Sequence, residues 1–169
     1  VCNALAAAAV SLGCGVPLAT IAAGLAAARP VAGRQVAHAL ADGSLLIDDS
    51  YNANPGSLAA AIDALAASGD DAWLVLGDMR ELGPEAQALH ADAGRRAREA
   101  GIARLYALGE LSAAAVQAFG EGGSHYHSHA ALADALRMEL GTPRGERRRR
   151  VLVKGSRGSA MDRIVTALL

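Results

Sequence analysis

The segment Ile47-Asp48-Asp49-Ser50-Tyr51-Asn52-Ala53-Asn54-Pro55 constrains the fold more than any other stretch of this chain. Leu45-Leu46-Ile47 is a short apolar run of the kind that forms a buried strand. Two carboxylates follow at once, where such a strand has to emerge into water or into a site. Asn54 offers a side-chain oxygen as a helix N-cap, and Pro55 takes the first helical position, where its missing N–H removes nothing. The apolar-rich stretch from Leu58 to Leu65 continues the helix. The unit is strand, polar turn, helix. In open α/β sheets ligands bind outside the carboxyl ends of strands, so this turn is a candidate site as well as a connection. A plain βα turn with solvated acids has the same pattern.

The rest of the chain repeats the alternation. An Asp42-Gly43 turn between Val36–Leu40 and Leu45–Asp49 reads as a hairpin. A helix over 55–67 leads to a strand over 72–76, and one over 84–100 to a strand over 104–108. A helix over 111–119 precedes a weak strand near 124–127. A helix over 130–140 leads to a strand over 151–154, and a last helix begins near Ser159. Strands separated by helices of this length predict an α/β fold with a mostly parallel sheet flanked by helices. Parallel strands put Asp49, Asp78, Gly109 and Lys154-Gly155-Ser156 at one edge, the edge where ligands bind.

Ahead of this domain, residues 3–12 and about 17–28 read as two short helices, with Arg29-Pro30 ending the second. Val31-Ala32-Gly33-Arg34 is then a linker, giving segments 1–33 and 34–169. The first charged residue is Arg29, but Gly13, Gly15 and Pro17 interrupt the uncharged run and no basic region precedes it. A membrane-spanning or signal segment is not expected. The chain opens on Val1-Cys2-Asn3 and reads as though cut from inside a longer protein.

With 169 residues there is room for one good core, and only 3% of them are aromatic, so Leu, Val, Ile and Ala must build it. A net charge of −1 argues against a nucleic-acid surface. Cys2 and Cys14 make no disulfide framework, which favours a reducing cytoplasm; both read as buried thiols. His125, His127 and His129 alternate and would share a strand face, but no cysteine or carboxylate cluster joins them, so no metal site is expected. Arg147 to Arg150 reads as a solvated loop before the last strand. Lys154-Gly155-Ser156-Arg157-Gly158 leaves that strand for a helix; glycines let backbone N–H groups converge and helix N-termini attract anions, which suits a carboxylate or phosphate. It is not a Walker A loop, because G-x-x-x-x-G-K-[ST] is absent.

Four stretches in order carry a family resemblance: Asn3-Ala4-Leu5-Ala6-Ala7-Ala8, Asp48 to Pro55, Leu76-Gly77-Asp78-Met79-Arg80-Glu81-Leu82-Gly83, and Val153-Lys154-Gly155-Ser156-Arg157. Together they resemble the Mur ligases, in particular the branch that adds D-alanyl-D-alanine to the UDP-N-acetylmuramoyl-tripeptide precursor of peptidoglycan. The resemblance implies that 34–169 is the Rossmann-like C-terminal domain and that 1–33 ends the central ATP-binding domain. It implies ATP and Mg2+ as cofactors of the full-length enzyme and no activity for this piece alone. It assigns Asn3, Arg34, Asp49 and Asn52 to ATP, with Asp49 on the ribose and Arg34 towards the phosphates. It assigns Asp78, Arg80, Lys154, Ser156 and Arg157 to the dipeptide. Two alternatives remain open: a related ligase such as a folylpolyglutamate synthetase, and a non-catalytic ligand-binding α/β domain.

Overall fold

A computed structural model describes residues 2–29, 31–69, 71–142 and 148–169, leaving aside the side chain of Cys2. Pro30, Arg147 and Gly145-Glu146 lie outside that set, as do the readings that rested on them. The chain divides into two compact units, Val1–Val31 and Ala32–Leu169.

The first unit holds α1 (Cys2–Gly13) and α2 (Leu18–Ala27). The chain turns at Gly13–Val16, and the N–H groups of Thr20 and Ile21 bond to the carbonyl of Pro17. Cys14 is exposed on this turn, which corrects the expectation of a buried thiol. The turn between two short helices has no core to hide it.

In the second unit β1 (Val36–Ala39) and β2 (Leu45–Asp49) form the expected antiparallel hairpin. The remaining elements are α3 (Pro55–Ala66), β3 (Asp71–Gly77), α4 (Ala86–Glu99), β4 (Arg104–Leu108), α5 (Ala113–Phe119), β5 (Gly123–Tyr126), α6 (His129–Leu140), β6 (Arg149–Lys154) and α7 (Asp162–Leu168). The sheet order is β1-β2-β6-β3-β4-β5, and every pairing except β1–β2 is parallel. The last strand in sequence is therefore central, inserted between β2 and β3.

Side chains alternate across each strand, and both faces of the sheet are covered. Ala72, Leu74, Leu76, Leu105 and Leu152 meet Leu58, Ile62 and Leu65 of α3, Ala93 and Ala97 of α4, and Phe119 of α5. Leu46, Val75, Val151 and Val153 face the other way, onto Leu132 and Leu136 of α6 and Ile164 and Val165 of α7. Three of the few aromatics, Trp73, Tyr106 and Tyr126, line this second face with centroids 5.6 and 6.4 Å apart. Burial, and then Glu139 beside it, push the Tyr106 hydroxyl above its ordinary pKa.

The second half of the basic run is not a solvated loop. Arg149 and Arg150 belong to β6, and Arg149 is 6% exposed. Its guanidinium donates to the carbonyls of Leu140 and Thr142 at the end of α6, and lies 3.5 and 3.9 Å from Asp42 and Asp71. A cation at a helix C-terminus with two nearby acids is a buried clamp between α6, the hairpin and β3.

Two helices pack so closely that one glycine is obligatory. A Cβ on Gly94 of α4 would collide with the carbonyl oxygen of Ala115 on α5 and lie 2.8 Å from its carbonyl carbon. Glycine to alanine inside a helix ordinarily stabilises by up to about 1 kcal/mol, but backbone overpacking costs about 1–3 kcal/mol or more, so the clash decides the sign. Gly94→Ala is expected to lower the urea midpoint. Gly56→Ala on α3, where the nearest atom to a new Cβ is 3.7 Å away, is expected not to lower it.

Candidate functional site at the carboxyl edge of the sheet

The turn after β2 is built as its residues dictate. The Asn54 side chain accepts from the Ser57 N–H at 2.8 Å, and Ser57 Oγ accepts from the Asn54 N–H at 3.2 Å, a reciprocal cap that starts α3 at Pro55. Because side chains alternate along β2, Asp48 and Asp49 leave on opposite faces. Asp48 is structural. Its Oδ2 accepts from the Gly33 N–H at 3.0 Å, and its Oδ1 from the Ser50 N–H at 3.1 Å and Ser50 Oγ at 2.6 Å. The Gly33 carbonyl accepts in turn from the Tyr51 N–H at 3.0 Å, so Gly33 is fastened to the larger unit.

Asp49 lies beside Lys154, its partner in the parallel register of β2 and β6. Lys154 is 3% exposed, and its Nζ donates to Asp49 Oδ2 at 2.6 Å and to the Asn52 carbonyl at 2.9 Å. The two side chains, which the resemblance assigns to different ligands, form one ion pair. The Lys154 ammonium is committed to the turn, while Asp49 Oδ1 makes no hydrogen bond among the described residues. Asn52 is exposed, and its Oδ1 accepts from the Ala53 N–H at 2.9 Å, which leaves its amide N–H groups to donate outward. A cleft of about 440 Å3 opens here, bounded by Arg34, Asp49, Asn52 and Lys154 on one side and the alanine methyls of α3 on the other.

Beyond β6, Lys154-Gly155-Ser156 does not run into an α-helix as expected. It enters a single 3₁₀ turn, Arg157–Ser159, and Ala160 then takes a left-handed φ of 48° before α7. The anion-attracting helix N-terminus inferred from sequence is therefore absent at this turn. What the glycine supplies is contact: a Cβ on Gly155 would lie 2.6 Å from Met161 Cγ and 3.1 Å from Gly77 Cα. Adjacent strand ends meet through two glycines. The Asp78 carbonyl, one residue past β3, accepts from the Ser156 N–H at 3.0 Å, Ser156 Oγ at 2.6 Å and Ser159 Oγ at 2.7 Å. The Asp78 carboxylate accepts from the Ser112 N–H at 2.8 Å. Ser156 and Asp78 are thus brought together, with the Ser156 hydroxyl turned inward.

Tyr51 stands between the two halves of the edge. The Arg34 guanidinium lies 4.2 Å from its ring centroid and that of Arg157 5.5 Å, within cation–π range. Arg34, Arg80 and Arg157 are exposed, and none is paired with a carboxylate among the described residues. Arg80 crosses Gly158, where an added Cβ would lie 2.9 Å from its Nε. A second cleft, of about 410 Å3 and lined by Ser50, Tyr51, Arg157 and Arg163, opens on the other side of Tyr51. Asn3 lies on α1, in the separate first unit. His125 and His127 meet edge to face with centroids 4.7 Å apart, while His125 bonds to the Gly109 carbonyl at 2.7 Å and His129 to that of Ser159 at 2.8 Å.

The family model described as Mur ligase, glutamate ligase domain, matches residues 21–157. The chain belongs to the Mur ligase family. It is 44% identical over 168 residues to the UDP-N-acetylmuramoyl-tripeptide–D-alanyl-D-alanine ligase of Escherichia coli (strain K12), a match covering 99% of this chain and 36% of that protein. A crystal structure of MurF from Acinetobacter baumannii superposes with a TM-score of 0.85 at 32% identity, over 98% of this chain and 36% of that one. This Mur ligase chain thus spans 36% of the length of these relatives. The folylpolyglutamate synthase of Mycobacterium tuberculosis superposes with a TM-score of 0.65 at 14% identity, which shows a shared fold alone.

Two side chains that shape this Mur ligase edge gave no motif signal. Ser112, whose N–H holds Asp78, sits in an Ala-rich helix start. His90, fully buried on α4, is visible in sequence only as the polar member of a stripe with Ala93, Gly94 and Ala97. The ion pair generates the prediction for this site. Lys154→Ala leaves Asp49, whose side chain is 14% exposed, without its cation. Removing one partner of such a pair costs about 3–5 kcal/mol, while replacing both with uncharged groups of similar size costs less. Urea unfolding is expected to show Lys154→Met with Asp49→Asn closer to the unmodified chain than Lys154→Ala alone.

Proposed function

We propose that this chain is the C-terminal part of an ATP-dependent ligase that joins D-alanyl-D-alanine to UDP-N-acetylmuramoyl-tripeptide in the cytoplasm. The observation carrying the reading is the Asp49–Lys154 pair at the cleft, tied through β6 and Ser156 to the Asp78-Met79-Arg80 loop. It sets an acceptor for one ligand and exposed cations for another along one sheet edge. In the reaction, ATP phosphorylates the tripeptide's terminal carboxylate with release of ADP. The dipeptide amine then attacks the acyl phosphate; the amide bond forms, phosphate leaves and a proton is lost.

This chain's share is binding and orientation. Asp49 Oδ1 accepts a ribose hydroxyl, Asn52 donates towards the base and Arg34 leaves Tyr51 to meet the phosphates. Asn3 is proposed to approach the nucleotide from the end of the central domain, with 1–33 belonging to that domain. Arg80 and Arg157 are suited to the dipeptide carboxylate. Ser156 and Lys154, with their donors turned inward, act by holding Asp78 and Asp49. Asp48, Asp49 and Asp78 each already accept from protein donors, and no group of three His, Cys, Asp or Glu side chains suited to a metal ion occurs among the described residues; the magnesium of the full-length ligase would be held largely by the ATP phosphates and water. No G-x-x-x-x-G-K-[ST] loop occurs in this sequence, and the chain alone is expected to show no ATPase turnover.

The test uses the full-length ligase with all three substrates. Losing a hydrogen bond to a charged group is worth about 1.5–3 kcal/mol, or roughly ten- to a hundredfold in KM or kcat/KM. Asp49→Asn is expected to raise the ATP KM and leave the dipeptide KM nearly unchanged; Arg80→Ala is expected to do the reverse. Exchange of these two patterns would overturn the assignment. Absence of ligation by the unmodified enzyme would overturn the function.

A further inference from the structure

Met79 is fully buried between two residues proposed for the site, Asp78 and the exposed Arg80. The loop around it has no regular structure, and both Glu81 and Gly83 take left-handed φ values of 64° and 66°. A backbone N–H buried in such a loop needs an acceptor, because leaving it orphaned forfeits its hydration with nothing in return. The Met79 N–H finds it in His90 Nε2, at 2.9 Å.

That contact determines the state of the ring. Nε2 receives a proton from Met79 and so carries none of its own. The ring proton is therefore on Nδ1, which lies 2.6 Å from the Ala86 carbonyl and donates to it. His90 is 0% exposed and both ring nitrogens are satisfied by backbone, one in its own helix and one in the loop. An apolar side chain of similar size, such as leucine, would also keep this position of α4 buried. What histidine alone adds there is a rigid acceptor aimed at the loop.

We propose that His90 is a positioning residue of the site, holding the Asp78-Met79-Arg80 loop so that the Arg80 guanidinium and the Asp78 carboxylate face the incoming amino substrate. The inference rests on the assignment of that loop to the dipeptide. Its geometric part stands apart from the ligand: His90 anchors Met79, Asp78 is held by Ser112 and the Ser156 turn, and Arg80 is left as the projecting group.

The experiment combines kinetics of the full-length ligase with amide exchange over 78–82. His90→Leu removes the acceptor, His90→Asn keeps polarity but falls short of Met79, and His90→Gln keeps an acceptor at nearly the reach of Nε2. His90→Leu and His90→Asn are expected to speed exchange at Met79 and to raise the dipeptide KM about tenfold or more, with the ATP KM within about twofold, because a small misplacement of a binding group is felt mainly by its own ligand. His90→Gln is expected to recover most of the loss. In the unmodified protein, the nitrogen resonances of His90 are expected to show the Nδ1–H form. If His90→Leu does not fold, the comparison of Asn with Gln carries the test. An Nε2–H ring, equal behaviour of Asn and Gln, or unchanged exchange at Met79 in His90→Asn overturns the proposal. Faster exchange accompanied by a raised ATP KM and an unmoved dipeptide KM supports positioning by His90 and overturns the assignment of the loop to the dipeptide.

Discussion

The buried pair of Lys154 and Asp49 is the interaction on which the candidate site depends. An ammonium at 3% exposure is tolerable only where its donors are met, and here they meet a carboxylate and the Asn52 carbonyl. Parallel register sets the two side chains abreast on the same face of β2 and β6. Neither strand alone produces this geometry. The partners are 105 positions apart in sequence, and β6 enters the middle of the sheet last. The turn after β2 is therefore fully organised only when the final strand is seated, which makes the site a product of the completed sheet.

The Asp78 carbonyl does the corresponding work one strand further along. Three donors from Ser156 and Ser159 converge on it, and the facing glycines let the strand ends come close enough for that convergence. A side chain at Gly77 or Gly155 would push the β3 and β6 turns apart, and with them Asp78, Arg80 and Arg157. The strand that ends in Lys154, beside the proposed nucleotide cleft, continues into the Ser156 junction on the other side. Consequently, one rigid segment, Lys154-Gly155-Ser156, supports both proposed binding functions while presenting few groups of its own.

What could be read from the sequence follows how local the governing chemistry is. Asn54 and Pro55 start α3 by contacts within four residues, and the Asp42-Gly43 turn closes its hairpin in the same way, so both were legible. Alternating strands and helices predict the mostly parallel sheet and the edge at which Asp49, Asp78 and Lys154 gather. The position of β6 between β2 and β3 was not legible, because it is decided by packing across the whole domain. The partners of Lys154 and Arg149 are hidden from sequence for the same reason. Each was judged by its neighbours in sequence, a glycine turn and a basic run, whereas its state is set by acids brought in from other strands. Ser156 followed the same course, its partner lying 78 positions away.

Backbone strain marks the same edge by an independent route. Among the described residues, the non-glycine positions with positive φ are Gln35, Glu81 and Ala160. Each such residue costs of order 1–3 kcal/mol and persists only where its surroundings over-determine it. Gln35 follows Arg34, Glu81 follows Arg80, and Ala160 closes the turn that begins at Arg157. In each case the strained residue redirects the chain just after an exposed arginine, and a buried contact holds the redirection: Asp48 with Gly33, His90 with Met79, and Met161 in the core below Gly77 and Gly155. The fold keeps three like charges at one edge without carboxylate partners among the described residues, an arrangement suited to the anionic ligand proposed above.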